Sequence, residues 1–363
     1  LENQVARTEE STDVCIIGAG QAGLAMAREL ASRSRDFLVL DRAERVGQSW
    51  RDRWDSLRLF TPSEHDGLPG LSFPDERGTF PTKDDMAAYL VVAAADVVER
   101  LRLGCNVRVS ERHGEAWRVE TETGAVNARC VVVATGAHDR PKVPDLAGRL
   151  APEIRQLHSS EYRNPTSVRD GTVIVVGAGA SGTQIAIELA ATRPVFLAGR
   201  PTPEIPPVLL RHAGGLYWRF LNTVLTRSTP IGRRVAAGFH DRGAPLIGVG
   251  SKQVNAAGVR RLPRLSSVRD GRPYTPEAPA AGQSVATVIW ATGYHPEFGW
   301  IPDLPCDSAG WPVHERGVVT AIPGLYLLGL PFQYALTSGL IGGVGRDARY
   351  LADRTTQRMP TRM

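Results

Sequence analysis

The sequence predicts an α/β fold in which one parallel-sheet unit is interrupted by a second of the same kind, and three observations carry that reading. First, a glycine fingerprint occurs twice. Gly18-Ala19-Gly20-Gln21-Ala22-Gly23 follows the apolar run Val14-Cys15-Ile16-Ile17, and Gly177-Ala178-Gly179-Ala180-Ser181-Gly182 follows Val173-Ile174-Val175-Val176, 159 residues on. Second, each copy runs into an Ala-rich helical pattern and then another apolar strand, Phe37-Leu38-Val39-Leu40 or Val195-Phe196-Leu197. Third, an Ala-Thr-Gly turn ends an apolar strand twice, as Ala134-Thr135-Gly136 and as Ala291-Thr292-Gly293, 157 residues later. Strand, tight turn, helix and strand in this spacing form the unit that holds a dinucleotide. The expected architecture is two nested Rossmann-like dinucleotide-binding domains, the first split by the second and completed by the C-terminal segment.

In chain order, residues 13–41 form the first β-α-β unit. Its first glycine permits the sharp turn, its second lets backbone approach a pyrophosphate, and its third lets helix and strand pack closely. The helix N-terminus supplies free N–H groups and a positive dipole end. Asp41 ends the second strand, 23 positions after the first glycine, where a carboxylate accepts from free ribose hydroxyls. That points to FAD or NAD. Residues 42–80 are loop-rich, 83–103 read as an amphipathic helix, and strands follow near 105–110, 116–120 and 128–134. Residues 141–165 read as a crossover linker.

The second unit covers 172–200. It ends in Arg200 where the first ends in Asp41, and an arginine there suits the 2′-phosphate of NADP. Residues 201–244 are unlike the rest and read either as an insertion over a cofactor crevice or as a surface helical hairpin, with helical spacing across 216–225. Apolar strands return at 285–290 and 325–328, the latter closed by Gly329. A last helical pattern starts near Thr337-Ser338. Its N-terminal end would face the first dinucleotide, and a flavin ring there would gain from the dipole.

Composition narrows the partners. The net charge is +5 and the pI about 9.2, yet Lys occurs only at 83, 142 and 252 and the arginines read as scattered among acids. With no nucleic-acid motif, no nucleic-acid partner is expected. No apolar run reaches spanning length and the polar start 1–10 is no signal peptide, so a cytoplasmic protein without a membrane partner is expected, with oligomers possible. Cys15, Cys105, Cys130 and Cys306 form neither CxxC nor a metal-ligand spacing, so neither a metal site nor a dithiol relay is expected.

With these residues in place, the chain resembles the flavin-containing monooxygenase family (class B flavoprotein monooxygenases), including plant auxin-synthesising and bacterial members. The resemblance covers nearly the whole chain. It rests on both glycine loops, Gly47-Gln48-Ser49-Trp50, His158-Ser159-Ser160-Glu161-Tyr162, Ala291-Thr292-Gly293-Tyr294 and Gly324-Leu325-Tyr326-Leu327-Leu328-Gly329. It implies an FAD-binding domain over 1–165, an NADPH-binding domain over 166–285 with the 201–244 insertion, and completion of the first by 286–363.

FAD would lie on Gly18, Gly20, Gln21, Ala22, Gly23, Asp41, Arg42, Ala134, Thr135 and Gly136, with its flavin half near Gln48, Ser49, Trp50, Gly329 and Thr337. NADPH would lie on Gly177, Gly179, Ala180, Ser181, Gly182, Arg200, Ala291, Thr292 and Gly293, with His158 and Tyr162 as fingerprint contacts. The implied reaction is reduction of FAD by NADPH, addition of O₂ at flavin C4a as a hydroperoxide, and oxygen transfer to a small organic substrate. Tyr162, where Baeyer–Villiger members carry Trp, leans toward oxygenation at N or S. Attack on a ketone, or an NADPH oxidase or flavin reductase without oxygen insertion, are the other readings. No catalytic side chain is named, because the cofactor carries the chemistry.

Overall fold

The computed structural model describes residues 8–239, 245–276 and 285–358; side chains of 207–213, and thus part of the predicted insertion, lie outside it. So do most of the polar start and the last residues of the tail. Strand β1 (Thr8–Ile17) leads through helix α1 (Gln21–Ala31) to β2 (Phe37–Leu40), then α2 (Gln48–Arg51), α3 (Lys83–Ala94), β3 (Leu101–Arg102), β4 (Val107–His113), β5 (Ala116–Thr121) and β6 (Gly124–Val133). Next come β7 (Arg140–Pro141), β8 (Arg155–His158), β9 (Thr172–Val176), α4 (Ala180–Ala190) and β10 (Val195–Ala198). Helices α5 (Pro207–Thr223), α6 (Pro230–Ala237) and α7 (Ser251–Ala256) precede β11 (Arg260–Leu262), β12 (Ser267–Arg269) and β13 (Arg272–Tyr274). The chain closes with β14 (Val285–Trp290), β15 (Tyr294–His295), β16 (Leu325–Leu327) and α8 (Ile341–Gln357).

Two sheets organise these elements. The first runs β3-β2-β1-β6-β5-β4, and β16 pairs with β6. Its β1, β2, β3, β6 and β16 pairings are parallel, whereas β4 and β5 form an antiparallel meander on β6. The second sheet is β11-β10-β9-β14-β8, parallel throughout. Parallel strands are covered on both faces and therefore read as continuous apolar runs. Thr172–Val176 is buried at every position. The C-terminal segment returns to the first sheet through Leu325↔Val131 and Leu327↔Val133, which is the predicted nesting.

Sheet membership moves the expected boundaries at 165/166 and 285/286. Arg155–His158 and residues 286–290, assigned from sequence to the first domain, pair with each other in the second sheet, Trp290 opposite His158. An apolar run has the same composition in either sheet, so only its pairing places it. The helix read over 83–103 is shorter: α3 ends at Ala94 and a 3₁₀ turn runs to Arg100, because Leu101 must pair with Val39 in β2. The main core joins α1, α3, α4 and α8 to one face of the sheets, with Leu24, Met26, Leu90, Ile185 and Leu351 fully buried.

Candidate functional site

The two glycine loops have the same geometry, and each glycine does a different job. Gly18 and Gly177 adopt φ of +109° and +111°, which L side chains rarely tolerate. A Cβ on Gly18 would come within 2.6 Å of the Ala134 carbonyl oxygen, and one on Gly177 would strike the Ala291 carbonyl. Thus each loop is pressed onto its own Ala-Thr-Gly turn. A Cβ on Gly23 or Gly182 would overlap the carbonyl of Gly18 or Gly177, so the third glycine sets how closely helix meets strand. Gly20 and Gly179 are different: a Cβ there meets nothing within 4 Å. Their faces are open, as an approaching pyrophosphate requires.

Both helices that start at these loops lack a side-chain cap and have no acid in the first turn. By contrast α3 carries a full capping box, Thr82 with Asp85, and acids Asp84 and Asp85 in its first turn. The N–H groups of Gln21, Ala22 and Gly23, and of Ala180, Ser181 and Gly182, precede the first intrahelical bonds, from Leu24 to Gly20 and Thr183 to Gly179. Orphan donors at a positive helix end form an anion site. These residues fit the two pyrophosphates that a flavin and a nicotinamide dinucleotide bring.

Asp41 and Arg200 differ in readiness. Asp41 Oδ2 accepts from the Ala19 N–H at 2.5 Å and Oδ1 from the Ala43 N–H at 2.7 Å, so its carboxylate is held at the loop. Arg42 is paired with Asp139 at 2.5 Å on the surface. Arg200 is exposed and makes no hydrogen bond or ion pair among the described residues, so its guanidinium is available. The turns themselves are open: Gly136 and Gly293 have φ of +80° and +82° and empty space at their Cβ positions. Thr135 is exposed, while the Thr292 hydroxyl donates to the Lys142 carbonyl.

Two fingerprint residues do not sit where a cofactor contact was expected. His158 is buried; its Nδ1 accepts from the Ser160 N–H at 3.2 Å, so Nε2–H donates to the Gly293 carbonyl at 3.0 Å. Burial holds its pKa below the usual histidine value, which keeps this neutral tautomer. It braces the turn. Tyr162 is fully buried and its hydroxyl donates to Glu188 at 2.7 Å, so it belongs to the core beside α4 and cannot report on the substrate. Gln48 is tied to Arg45 and Asp52, each at 2.7 Å, Ser49 is exposed, and Trp50 packs partly buried against the core.

A cavity of about 310 Å³ lies where three chain segments meet. Thr61, Glu64 and His65 come from the loop after α2, Trp218 and Asn222 from α5, Thr337 from the turn before α8, and Gly342 and Gly343 from the first turn of α8. The insertion read over 201–244 thus supplies one wall. Thr337 Oγ1 donates to Asn222 Oδ1 at 2.5 Å, and a Cβ on Gly342 would strike the His65 carbonyl, so α8 is seated directly on the loop. At Gly329, φ +85°, a Cβ would come within 2.8 Å of the Ala22 side chain, so the end of β16 lies close against α1. Behind Thr61, Asp66 is fully buried; it accepts from the Thr61 hydroxyl at 2.5 Å, and its other oxygen has no partner. Burial pushes its pKa up to about 7.

Sequence reasoning missed Asn222, Asp66 and Arg53. A single Asn inside the apolar pattern of α5 was the available signal for the first. Arg53 donates to the Tyr294 hydroxyl at 2.9 Å, joining the loop after α2 to the second Ala-Thr-Gly turn. Cys15 and Cys130 lie buried in β1 and β6, where burial pushes both thiols up, Cys130 to about 11, so neither is a poised thiolate.

Two open glycine cradles on nested parallel sheets, one with a carboxylate and one with a free arginine, define a two-dinucleotide flavoprotein oxidoreductase. The family described as pyridine nucleotide-disulphide oxidoreductase matches residues 15–200, and the chain belongs to it, as a flavin monooxygenase similar to the YUCCA proteins. It is 37% identical over 343 residues to an uncharacterized CzcO-like oxidoreductase of Geobacillus kaustophilus, covering 93% of this chain and 97% of that protein. It is 37% identical over 196 residues to indole-3-pyruvate monooxygenase YUCCA1 of Oryza sativa, 52% of this chain and 48% of that one. In fold it is similar to a flavin-containing monooxygenase from Stenotrophomonas maltophilia, with a TM-score of 0.77 and 24% identity over 96% of this chain and 99% of that one. OTEMO in complex with FAD and NADP has a TM-score of 0.64 and 19% identity, over 96% of this chain and 86% of that one. The cofactors are FAD and NADPH.

Proposed function

We propose that the chain oxygenates a small organic substrate at nitrogen or sulfur in the cavity between the loop after α2, α5 and α8. The observation that carries this reading is the lining of that cavity. Glu64 and the Thr337 hydroxyl offer acceptors, Asp66 stands behind Thr61, and no Lys or Arg lines the wall among the described residues; Arg346, outside the lining, is occupied with Asn222, whose Oδ1 it meets at 3.3 Å. Burial holds His65 below its ordinary pKa, so it adds little positive charge. Such a wall suits a basic amine, or a thioether that carries one, rather than an anionic keto acid.

Bound FAD supplies acceptance of hydride from NADPH and activation of O₂. The chain's own residues bind, orient and exclude water. The uncapped starts of α1 and α4 hold the pyrophosphates, Asp41 the ribose of FAD, and Arg200 the 2′-phosphate of NADPH. The start of α8, also uncapped and without acids in its first turn, presents a positive helix end to the cavity. Trp218 packs against His65, ring centroids 4.9 Å apart, and gives the cavity an aromatic side.

A second reading, attack at a ketone carbon, is favoured by the identity to proteins named for indole-3-pyruvate, a keto acid. The deciding experiment supplies NADPH and ¹⁸O₂ with amine, thioether and keto-acid panels, and follows label by mass spectrometry. One labelled oxygen on N or S is expected. Label entering only carbonyl-derived products selects the second reading. NADPH consumption matched by hydrogen peroxide, with no labelled product in any panel, means an oxidase and removes both.

A further inference from the structure

The arginines are not evenly mixed with acids after all. Residues 205–240 contain five arginines, at 211, 219, 227, 233 and 234, and no aspartate or glutamate. In chain order the ion pairs pass from Arg193–Asp170 to Arg272–Glu153 with none between, among the described residues. Arg219, Arg233 and Arg234 are exposed. Large apolar side chains are exposed between them: Leu216 at 71% and Phe220 at 44% on α5, Ile231 at 58% and Val235 at 38% on α6. Each pair is spaced i, i+4 and so shares one helix face.

We propose that α5 and α6 form a docking surface for an anionic phospholipid membrane, which the protein lies upon without crossing. No helix among the described residues is long and apolar enough to cross one. Apolar side chains that enter the headgroup boundary, flanked by arginines that meet lipid phosphates, are the chemistry of an interfacial amphipathic surface. A second copy of this chain fits less well, because a two-fold interface would set these arginines against themselves. Nucleic acid fits less well too, since a phosphodiester backbone gives Leu216, Phe220, Ile231 and Val235 nothing to bury against. The molecule carries its own contrast. Val91, Val92 and Val98 are as exposed, at 47%, 59% and 61%, but stand among Asp84, Asp85, Asp96 and Glu99. The cations beside that patch are already paired, Lys83 with Asp84, Arg28 with Asp96 and Arg100 with Asp36, so it lacks the arginines without an acidic partner that α5 and α6 carry among the described residues. Because α5 also turns Trp218 and Asn222 into the cavity, the docked face and the cavity share one helix.

The test is co-sedimentation of the full-length, FAD-loaded protein with vesicles of phosphatidylglycerol and phosphatidylcholine mixed, and of phosphatidylcholine alone. Binding to the mixed vesicles is expected, weak on phosphatidylcholine, and reduced by salt. Each lost arginine contact lowers surface binding roughly fivefold, so Arg233→Glu with Arg234→Glu should lower it by about twenty-five-fold or more. Leu216→Ser with Phe220→Ser should lower it about tenfold. Val91→Ser with Val92→Ser should leave it unchanged. Retained flavin absorbance shows that each variant is folded. Equal partition onto both vesicle types, binding indifferent to the two arginines, or equal loss in the Val91 and Val92 variant overturns the proposal. A concentration-dependent dimer that Leu216→Ser with Phe220→Ser dissociates, with no vesicle binding, overturns it in favour of a copy-to-copy interface. Duplex DNA bound more tightly than the vesicles overturns it in favour of nucleic acid.

Discussion

At the scale of single residues, Arg200 and Asp66 each carry an expectation, one for the choice of nucleotide and one for the response to pH. Arg200 is an exposed planar fork with no partner among the described residues, and such a fork suits the 2′-phosphate of NADPH. Losing one charge-assisted contact costs roughly 1.5–3 kcal/mol, about ten- to a hundredfold. Arg200→Ala should therefore lower kcat/KM for NADPH by that factor and leave NADH nearly untouched; an unchanged ratio removes Arg200 from the site. Asp66 behaves otherwise. Burial raises its folded pKa to about 7, above the 3.8 of a free aspartate. The folded state then binds the proton more tightly, so this group's contribution to stability is full below about pH 4 and is lost as pH rises to about 7. Asp66→Asn keeps an acceptor for Thr61 and removes the titration. Thermal melts should show the variant gaining on the wild type between pH 5 and pH 8 by a few kcal/mol; parallel stability curves would mean that Asp66 stays ionised throughout. Asp41 and the glycines were legible as residues because a turn and a strand end constrain them. Asp66 was not, because nothing in a Pro/Gly-rich loop marks which carboxylate turns inward.

At the scale of an element, each loop-helix unit separates space kept for folding from space kept for ligand. A Cβ on Gly23 overlaps the Gly18 carbonyl, whereas one on Gly20 meets nothing. Gly23→Ala should lower stability by about 3 kcal/mol through forced overpacking. Gly20→Val should melt close to the FAD-stripped wild type yet fail to take up FAD, which the visible spectrum of the purified protein reports. If Gly20→Val retains full flavin, the open face above α1 is not the pyrophosphate site. The same pair at Gly182 and Gly179 should divide stability from the KM for NADPH. These helices were legible because strand, glycine spacing and Ala-rich periodicity agree. The ends of α3 and the role of His158 were not, since both depend on partners remote in sequence: Val39 for the first and Gly293 for the second.

Across the whole molecule, a few polar contacts tie the interrupted unit to the interrupting one. Arg53 reaches Tyr294, Asn164 donates to Asp55 at 2.8 Å, and β7 pairs with β15 beside them. Arg53→Met should leave FAD binding intact and slow reduction by NADPH roughly three- to tenfold, because small misplacement of reacting groups is costly. Anaerobic stopped-flow absorbance measures this; an unaltered rate would make the Arg53–Tyr294 contact incidental to alignment. The sequence by itself determined the parallel α/β class, the two cradles and their opposite charges at Asp41 and Arg200. Those features are local: glycine spacing, apolar runs and a strand-end residue act within about twenty-five positions of one another. Only the tertiary structure decided that Val285–Trp290 joins the second sheet, that Tyr162 faces the core, and that α5 walls a cavity with α8 and the loop after α2. Each of these is a contact between segments far apart in the chain, and neither composition nor periodicity encodes which apolar run or which buried hydroxyl will meet which partner.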